Sequence, residues 1–465
     1  MDRKVPPPGT GTFAHFHRPE NPLAFAQSTS PQLIYGKRLT MKSNVKTFIR
    51  DKVSAYPRLD GMLRQVAYSV GRGQGNYPRM LGREIAAVAR VLRTSNWNMN
   101  YGGDLVHRTL EEEFAAYVGT RCAVAANTGG MALQIILRAI GIKPGDEVIH
   151  QVDTCVADAF AVMAAGGTPI FADTNCDNFM LSQQSVADAV SDRTRALIPI
   201  HMWGNPEAMD WISEFSKRQG LFVIEDSCLS LGAIWKGRPV GSFGDAAIFS
   251  LGCLKPIQAG EGGIVTTNDE ALAKELRTIR NWGDMSEEYG IRDQQTLSWN
   301  GRISEIVAAV ALEQLRGYPR YLENLRAIVQ DFFRALKRFD EVEIVVPDKA
   351  DVHPAYSQVV VRLKRNSRVS KSELMANLRA EGVNVWHANF EPINQLSFFK
   401  KGKWRDWILR GDLNRVERNY AGPFPNSEAV YADLGMGFSR ENFSSPERVK
   451  RVVQSLERIF RQNGS

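Results

Sequence analysis

The sequence predicts an α/β protein in which a large domain with a mostly parallel sheet is followed by a small α+β domain at the C-terminus. Between residues 82 and 250, short apolar strands alternate with helical segments, which is typical of a parallel sheet covered by helices on both faces. After residue 300, a long helical stretch gives way to mixed strands and helices. A chain of 465 residues is long enough for two cores. We therefore predict a basic extension over residues 1–84, a large domain over 85–320 and a small domain over 321–465.

The individual elements follow from the spacing of apolar residues. We predict helices where apolar residues recur every three or four positions, and strands where short apolar runs end at turn residues. In the large domain, the predicted helices cover residues 83–94, 109–117, 128–140, 157–165, 182–190 and 209–219. The predicted strands there cover residues 122–126, 147–149, 169–171, 194–199, 221–225 and 246–249. In the C-terminal part, helices are predicted over 304–336, 370–381 and 446–462, and strands over 342–346 and 357–363.

The charge of the chain is concentrated at its N-terminus. The net charge is +7, and residues 1–80 carry thirteen Lys or Arg against four Asp or Glu. A basic arm can bind nucleic acid or an acidic membrane surface. This arm has no dense block of like charge and no stacked-aromatic motif, so we expect a solvated or partner-contacting extension and no nucleic acid.

Other features limit the class of protein. The sequence contains no run of 18 or more apolar residues, so no membrane span is predicted. The first residues lack the apolar core of a secretory signal. We therefore expect a cytoplasmic protein. The five cysteines have no CxxC pair and fit no zinc pattern, so no metal site is predicted.

The strongest chemical signal lies in residues 250–263, whose sequence is SLGCLKPIQAGEGG. Here Lys255 follows the predicted strand 246–249 and precedes a glycine-rich turn. A lysine in a partly dry pocket loses its proton more readily, because desolvation disfavours the charged form. A neutral amine forms an imine with an aldehyde, as a pyridoxal-phosphate (PLP) cofactor requires. Taken alone, the segment also fits an exposed lysine in a flexible loop.

Residues upstream of this lysine suit two other parts of PLP, its ring nitrogen and its phosphate. Asp226 ends a predicted strand and can pair with the protonated ring nitrogen of PLP, which keeps the ring an electron sink. Thr128, Gly129 and Gly130 lie between a strand and a helix, where backbone N–H groups and the helix dipole favour a phosphate. Ser250 offers a hydroxyl to the same phosphate. The alternative for Asp226 is a helix cap or a turn residue.

The order of these features along the chain resembles that in the fold-type I PLP enzymes. The amino-acid sequence of the motifs resembles the DegT/DnrJ/EryC1/StrS family of sugar aminotransferases. The resemblance covers roughly residues 82–462. Long motifs carry it: GIKPGDEVI at 141–149, PIHMWG at 199–204, ED at 225–226, GRPVGSFGD at 237–245, the segment 250–263 and NGRISE at 300–305.

The resemblance implies a role for each matched residue. Lys255 would form the aldimine with PLP and then move the proton during amino transfer, while Asp226 would face the pyridine nitrogen. The turn 128–130 and Ser250 would hold the phosphate. Asn300 would reach the phosphate of the cofactor in a neighbouring subunit, which implies a homodimer with shared active sites.

The reaction implied is the transfer of an amino group from glutamate or glutamine, through pyridoxamine phosphate, to a nucleotide-linked keto-sugar or a keto-cyclitol. Two alternatives stay open. PLP-dependent sugar dehydratases share this fold, but that branch has histidine in place of the lysine. A non-catalytic or regulatory protein is the other alternative, since a fold does not determine function.

The chain departs from the family pattern at three pocket positions. Cys155 stands where the family commonly has an aromatic residue stacked on the cofactor ring, and Leu229 stands where it often has glutamine near the phenolic oxygen. The family's SGT turn is Thr128-Gly129-Gly130 here, so one hydroxyl is missing. Loss of the aromatic stacking is worth about 0.5–1.5 kcal/mol of cofactor binding.

One C-terminal segment bears on the acceptor. Residues 387–394, HANFEPIN, together with the basic residues at 400–405, look more like cyclitol aminotransferases than like nucleotide-sugar ones. The basic residues suit a substrate diphosphate equally well. The class of acceptor therefore stays open at this stage.

Overall fold

The computed structural model describes residues 81–94, 97, 105–286, 290, 293–294, 296–345 and 351–462. The predictions about the basic arm over residues 1–80 lie outside these residues. The helices are α1 (Leu81–Thr94), α2 (Val106–Val118), α3 (Gly129–Ala139), α4 (Ala157–Ala164), α5 (Gln183–Ala189), α6 (Met209–Gln219), α7 (Glu270–Arg280), α8 (Glu305–Leu336), α9 (Lys371–Ala380), α10 (Ser397–Lys400), α11 (Leu413–Ala421), α12 (Pro425–Ala429) and α13 (Pro446–Gln462). The predicted boundaries at residues 84 and 320 fall inside α1 and α8.

The strands form three sheets in the described part of the chain. They are β1 (Cys122–Ala126), β2 (Glu147–Gln151), β3 (Thr168–Ala172), β4 (Thr194–Ile198), β5 (Phe222–Asp226), β6 (Ile234–Trp235), β7 (Arg238–Pro239), β8 (Ala246–Ser250), β9 (Gly263–Thr267), β10 (Val342–Ile344), β11 (Val352–His353), β12 (Gln358–Leu363), β13 (Val385–His387) and β14 (Gly435–Ser439). The large sheet has the order β1-β9-β8-β5-β4-β2-β3.

The large sheet is mostly parallel, as predicted. Five neighbouring strands of this sheet pair in parallel, in the spatial order β8-β5-β4-β2-β3. Alternate side chains of each strand enter cores on opposite faces: Val148 packs in the same core as Leu133 of α3, while Ile149 packs with Ile212 of α6. Both faces are therefore buried, which explains the continuous apolar runs of these strands.

Strand β9 was not predicted and runs antiparallel to both of its neighbours, β1 and β8. The chain leaves β8, makes the loop that contains Lys255, and turns back through the glycine-rich residues 260–263. The connection contains no helix that could carry the chain across a face of the sheet, so β9 returns beside β8 and pairs with it antiparallel.

A second, antiparallel sheet has the order β10-β12-β14-β13. Its core joins the C-terminal half of α8 with α9 and α13, through residues such as Phe332, Leu374 and Leu456. This is the small α+β unit that the sequence predicts after the long helix. A third sheet, β11-β6-β7, pairs residues 352–353 with the 234–239 hairpin.

The segment around residues 419–420, in the C-terminal part of the chain, packs on the edge of the large sheet and not on the small sheet. The ring of Tyr420 stacks on Phe171 of β3 with centroids 4.7 Å apart. The Asn419 side chain accepts a hydrogen bond from the Phe171 N–H at 2.8 Å and donates one to its carbonyl at 2.9 Å. The amide thus replaces a neighbouring strand and closes the exposed edge of β3.

Among the described residues, no helix combines the length and the apolar character needed to cross a bilayer.

Candidate active site

The carboxyl ends of the parallel strands bring the predicted site residues to one edge of the large sheet. Thr128 follows β1, Cys155 follows β2, Asp226 ends β5, and Ser250 ends β8. Lys255 lies in the loop just beyond Ser250. Ligands of open α/β sheets bind outside this edge, so the edge is the candidate active site.

The turn at residues 128–130, at the start of α3, has the features of an anion-binding turn. The Thr128 hydroxyl oxygen accepts a hydrogen bond from the Met131 N–H at 3.0 Å and so satisfies that donor. The N–H groups of Gly129 and Gly130, in the same first turn, have no intrahelical partner. A Cβ at Gly129 would lie 3.0 Å from the Ser250 Cβ, whereas one at Gly130 would meet nothing within 4 Å. Gly129 therefore lets the helix approach Ser250 closely, and Gly130 faces open space. Such a turn suits a phosphate.

The loop that carries Lys255 is held from the small sheet. The Lys255 N–H donates to the Gly252 carbonyl at 3.3 Å, and Leu254 adopts a φ of +68°, which side chains other than glycine rarely do. The guanidinium of Arg440, just after β14, donates to the carbonyls of Leu254 and Lys255 at 3.0 Å each. These bonds couple the backbone of Lys255 to the small sheet. No sequence signal could have linked residues so far apart.

Asp226 is fixed at the end of β5 by backbone and side-chain contacts. Its N–H donates to the Pro199 carbonyl at 2.8 Å, and its Oδ1 accepts the Cys228 N–H at 2.9 Å. The Cys228 sulfur would lie 3.4 Å from a Cβ at Gly129, so this side chain lies between Asp226 and the anion-binding turn. Burial, and then the nearby charge of Asp226, raise the pKa of the Cys228 thiol well above its usual range, so the thiol stays neutral.

A second carboxyl group, which the sequence analysis missed, lies against Asp226. Asp158 of α4 is only 3% exposed and accepts the Thr154 hydroxyl at 3.0 Å. Burial, and then Asp226, hold the pKa of Asp158 well above its usual range, although the positive charge of Lys255 acts in the opposite direction. The available signal was a lone charge in the apolar helix sequence ADAFAVMA.

Cys155 lies within electrostatic reach of the same groups. The side chain is exposed on the surface of the chain, but the atoms packed around it still desolvate the thiol and raise its pKa. The charges of Asp158, Lys255 and Asp226 act on it as well. Leu229 lies in the loop after β5, where its carbonyl accepts the Ser357 hydroxyl. This contact involves only the backbone of Leu229. The place of its side chain near the phenolic oxygen of the cofactor stays a prediction.

Asn300 lies on the surface of the chain. Its Oδ1 accepts the Arg302 N–H at 3.3 Å, and its carbonyl accepts the Asn127 side-chain N–H at 3.0 Å. Asn127 directly precedes the anion-binding turn, so Asn300 borders the candidate site of its own chain. Its predicted contact with a neighbouring subunit stays a prediction.

Glu225, which precedes Asp226, organises the turn before β8. Its carboxylate accepts the N–H groups of Gly241, Phe243 and Gly244 at 2.7–2.8 Å. His201 also contacts it through Nε2 at 3.0 Å, while the His201 Nδ1 accepts the Glu207 N–H at 2.9 Å. The imidazole therefore carries its proton on Nε2 and donates it to Glu225. The contacts of Glu225 are structural and support the backbone that carries Asp226.

A buried polar cluster joins the end of β2 to the 387–394 segment. Asp153 accepts the Gln151 side-chain N–H at 2.7 Å and another hydrogen bond from Asn389. Burial raises the pKa of Asp153 to about 7, although both amides act to lower it. Burial likewise raises the pKa of the neighbouring Glu207 to about 8. In the part of the chain that the structure describes, no group of three or more His, Cys, Asp or Glu side chains is arranged to hold a metal.

Comparison with known proteins decides the family. The profile of the DegT/DnrJ/EryC1/StrS aminotransferase family matches residues 78–406. The chain belongs to this family. The dTDP-3-amino-3,4,6-trideoxy-alpha-D-glucose transaminase of Streptomyces venezuelae is 34% identical over 315 residues, which cover 66% of this chain and 78% of that protein. The GDP-perosamine synthase of Caulobacter vibrioides is 33% identical over 308 residues, 66% of this chain and 81% of that protein.

A solved structure shows the same relationship. The crystal structure of S. venezuelae DesV, in complex with a ketimine intermediate, matches with a TM-score of 0.71 and 29% identity, over 83% of this chain and 96% of that one. The predicted family, fold class and enzyme class are therefore confirmed: the protein is an aminotransferase of the DegT/DnrJ/EryC1/StrS family.

The raised pKa of Asp153 predicts that stability falls with rising pH. Its pKa is about 7 in the folded protein against 3.8 for the free side chain, so the folded state holds the proton more tightly. The contribution to stability is full below about pH 4 and is lost as the pH rises to about 7, by up to about 1.4 kcal/mol per pH unit. Urea unfolding from pH 5 to 8 should therefore show a smaller decline in Asp153→Asn than in wild type.

Two variants serve as controls for this measurement. Asp192→Asn alters a carboxylate that is 90% exposed and should leave the pH profile unchanged. Glu207→Gln should reduce the decline up to pH 8, whereas Asp153→Asn should leave the decline between pH 7 and 8 in place. A profile for Asp153→Asn that superimposes on wild type would contradict the assignment.

Proposed function

We propose that the protein is a PLP-dependent aminotransferase that moves an amino group from glutamate or glutamine to a ketone on a polyhydroxylated ring. The observation that carries the proposal is the meeting of Lys255, Asp226 and the anion-binding turn at one edge of the large sheet. A family likeness alone gives the reaction class; these side chains give the reason why PLP fits.

The residues at this edge suit each part of the cofactor. The open space at Gly130 and the close approach of Gly129 to Ser250 form a cradle for a phosphate beside a helix N-terminus. Asp226, 8% exposed, suits a protonated ring nitrogen that must be paired in a buried site. Lys255 supplies the amine. When bound, PLP provides an electron sink for the carbon that bears the amino group.

The side chains of this chain then have distinct tasks. The Asp226 carboxylate holds a proton on the ring nitrogen, and the turn 128–130 with Ser250 fixes the phosphate. The Nζ of Lys255 takes a proton from, or returns one to, the carbon that bears the amino group. Arg440 holds the backbone of Lys255, so the position of Nζ depends on how the small sheet is placed.

The relatives favour a nucleotide-linked sugar as acceptor. The names of the S. venezuelae and Caulobacter enzymes refer to dTDP-linked and GDP-linked amino sugars. The basic residues at 400–405 do not add to this argument. Trp404, within this run, packs against Tyr420, whose hydroxyl donates to the Pro169 carbonyl near the start of β3. The Ile393 N–H donates to the Val152 carbonyl at 2.8 Å, beside the site, but the Arg410 Cβ lies 3.9 Å from a Cβ at Gly145, which precedes β2. Arg410 therefore lies at the opposite edge of the sheet, where β2 begins. We retain a keto-cyclitol as the second acceptor class.

We further propose a homodimer in which Asn300 contributes to the phosphate site of the partner. Its position on the surface, next to the anion-binding turn of its own chain, supports a site close to the subunit interface. A cytoplasmic location stays a prediction.

Amino transfer should be visible in the absorption spectrum. Purified protein with added PLP is expected to show a visible band that falls on addition of L-glutamate while a near-ultraviolet band grows, because the cofactor takes up the amino group. Lys255→Ala should lose the visible band. Addition of a nucleotide-linked keto-hexose or a keto-inositol to the aminated protein should restore the band for the true acceptor class.

Lys274→Ala, which alters a lysine of α7 away from the edge, is the matched control and should behave as wild type. A band that Lys255→Ala leaves unchanged, or no band in wild type, would contradict the proposal and favour a non-catalytic protein.

Cys155 stands where the family commonly has an aromatic residue, so this chain should bind PLP more weakly than it would with an aromatic residue there. Because the thiol lacks an aromatic face, Cys155→Phe is expected to restore stacking worth about 0.5–1.5 kcal/mol and to lower the PLP dissociation constant by about two- to tenfold. Fluorescence titration with PLP measures this change. Cys155→Ala should not tighten binding, and equal effects of Phe and Ala would show that the ring does not lie over residue 155.

A further inference from the structure

The basic run at 400–405, which the proposed function does not use, belongs to a segment with exposed apolar side chains. Within residues 400–413, which we call the Trp407 segment, Trp407, Leu409 and Leu413 are 59%, 75% and 45% exposed. A single exposed apolar residue is ordinary, but a group of them bordered by charged residues marks a surface that interacts with something.

The backbone of the Trp407 segment is held on both sides of its tryptophan. Trp404 and Ile408 are buried in the same core as Phe171 of β3, and the ring of Trp404 lies 5.1 Å from that of Tyr420. The N–H groups of Trp407 and Ile408 both donate to the Trp404 carbonyl, at 3.0 and 3.2 Å. The Trp407 ring is therefore presented to solvent by an ordered backbone, which reduces the entropy that a binding event would cost.

Cationic side chains lie beside the apolar ones. The Trp407 segment carries five Lys or Arg against two Asp or Glu. Arg405 is paired with Glu417 at 2.6 Å, whereas Lys400, Lys401 and Lys403 are exposed and have no ion pair recorded within the described residues. These three ammonium groups are available to anionic groups, and the apolar stems of lysines lie readily along an apolar surface.

Area and charge favour a lipid surface over a second protein. A stable protein interface buries about 800 Å² on each partner, and three partly exposed side chains supply much less apolar surface than that. Two copies joined through this segment in a symmetric dimer would also place the same unpaired lysines opposite each other. A bilayer with anionic headgroups avoids both problems, because Trp and Leu enter its interface while the lysines meet opposite charge.

The Trp407 segment lies far from the candidate active site. The Arg410 Cβ is 3.9 Å from a Cβ at Gly145, at the edge of the large sheet where β2 begins. The candidate active site occupies the opposite edge, where the parallel strands end. A contact through the Trp407 segment therefore leaves the active-site edge accessible to substrate.

We propose that the Trp407 segment attaches the protein reversibly to a membrane surface with anionic headgroups. Trp407 and Leu409 enter the interface, and Lys400, Lys401 and Lys403 contact the headgroups. Neither component is strong alone, and stable attachment of a peripheral protein takes both an apolar and a basic contribution. The proposal does not depend on PLP or on the class of acceptor.

Co-sedimentation of the full chain with vesicles tests the attachment. Wild type is expected to bind vesicles of mixed phosphatidylglycerol and phosphatidylcholine, and to bind pure phosphatidylcholine about tenfold or more weakly. The double variant Trp407→Ala, Leu409→Ala should weaken binding to the mixed vesicles by about tenfold or more, because it removes the apolar contribution. Trp386→Ala, which alters a 54% exposed tryptophan of β13, is the matched control and should bind as wild type.

A lysine variant tests the basic contribution. Replacing Lys400, Lys401 and Lys403 together by Gln should weaken binding to the mixed vesicles by about fivefold for each lysine and leave binding to pure phosphatidylcholine unchanged. Circular dichroism of each variant checks the fold. The lysine variant alters only exposed side chains, so it carries the test if the double variant does not fold.

Fluorescence tests whether the indole enters the bilayer. Trp407→Phe keeps an aromatic ring and should keep most of the binding, so the wild-type minus Trp407→Phe emission difference isolates the signal of Trp407. Lipids with brominated acyl chains should quench this difference when the protein is bound. An unquenched difference from bound protein would contradict insertion of Trp407.

Three further results would overturn the proposal. Wild type that does not bind the mixed vesicles removes its basis. Equal binding by wild type and by the double variant places the contact elsewhere, such as in the basic residues 1–80. A change of oligomeric state in the double variant, measured by sedimentation velocity without lipid, shows that a second copy of the chain covers the segment.

Discussion

The parallel direction of β1, β2, β5 and β8 is the constraint on which the candidate site depends. Parallel strands end at the same edge, so the polar residues that follow them meet there even though they are far apart in sequence. The turn after β1 and Ser250 at the end of β8 are brought together in this way, since a Cβ at Gly129 would lie 3.0 Å from the Ser250 Cβ. The apolar runs that bury both faces of the sheet thus also position the chemistry.

The edge is supported by contacts that do not themselves react. Glu225 holds the turn before β8 through three backbone N–H groups, and His201 donates a further hydrogen bond to it. Arg440 ties the carbonyls of Leu254 and Lys255 to the small sheet. A lysine on a loop with a left-handed residue before it would otherwise be poorly placed, and precise placement is what a proton-transfer residue requires.

Local signals were enough to predict much of this arrangement. The helix Met209–Gln219 and the strand Cys122–Ala126 have the predicted bounds, because apolar periodicity and turn residues mark them. Lys255 and Asp226 were predicted as site residues because Lys255 follows a recognisable strand, Asp226 ends another, and both lie in family motifs. By contrast, Arg440 acts through contacts with residues far away in sequence, and the packing of Tyr420 on β3 depends on how a long segment folds back. Such contacts leave no periodic signal.

We propose that Lys255 is the lysine that binds PLP covalently. Reduction of the PLP-loaded protein with borohydride, followed by peptide mass spectrometry, would locate the trapped cofactor directly. Lys371 is the natural competitor, since burial lowers the pKa of its amine to about 8 and its Nζ donates only to backbone carbonyls among the contacts that the structure records. We expect the phosphopyridoxyl group on the peptide that contains Lys255. A label on Lys371 or another lysine, with the Lys255 peptide unmodified, would contradict it.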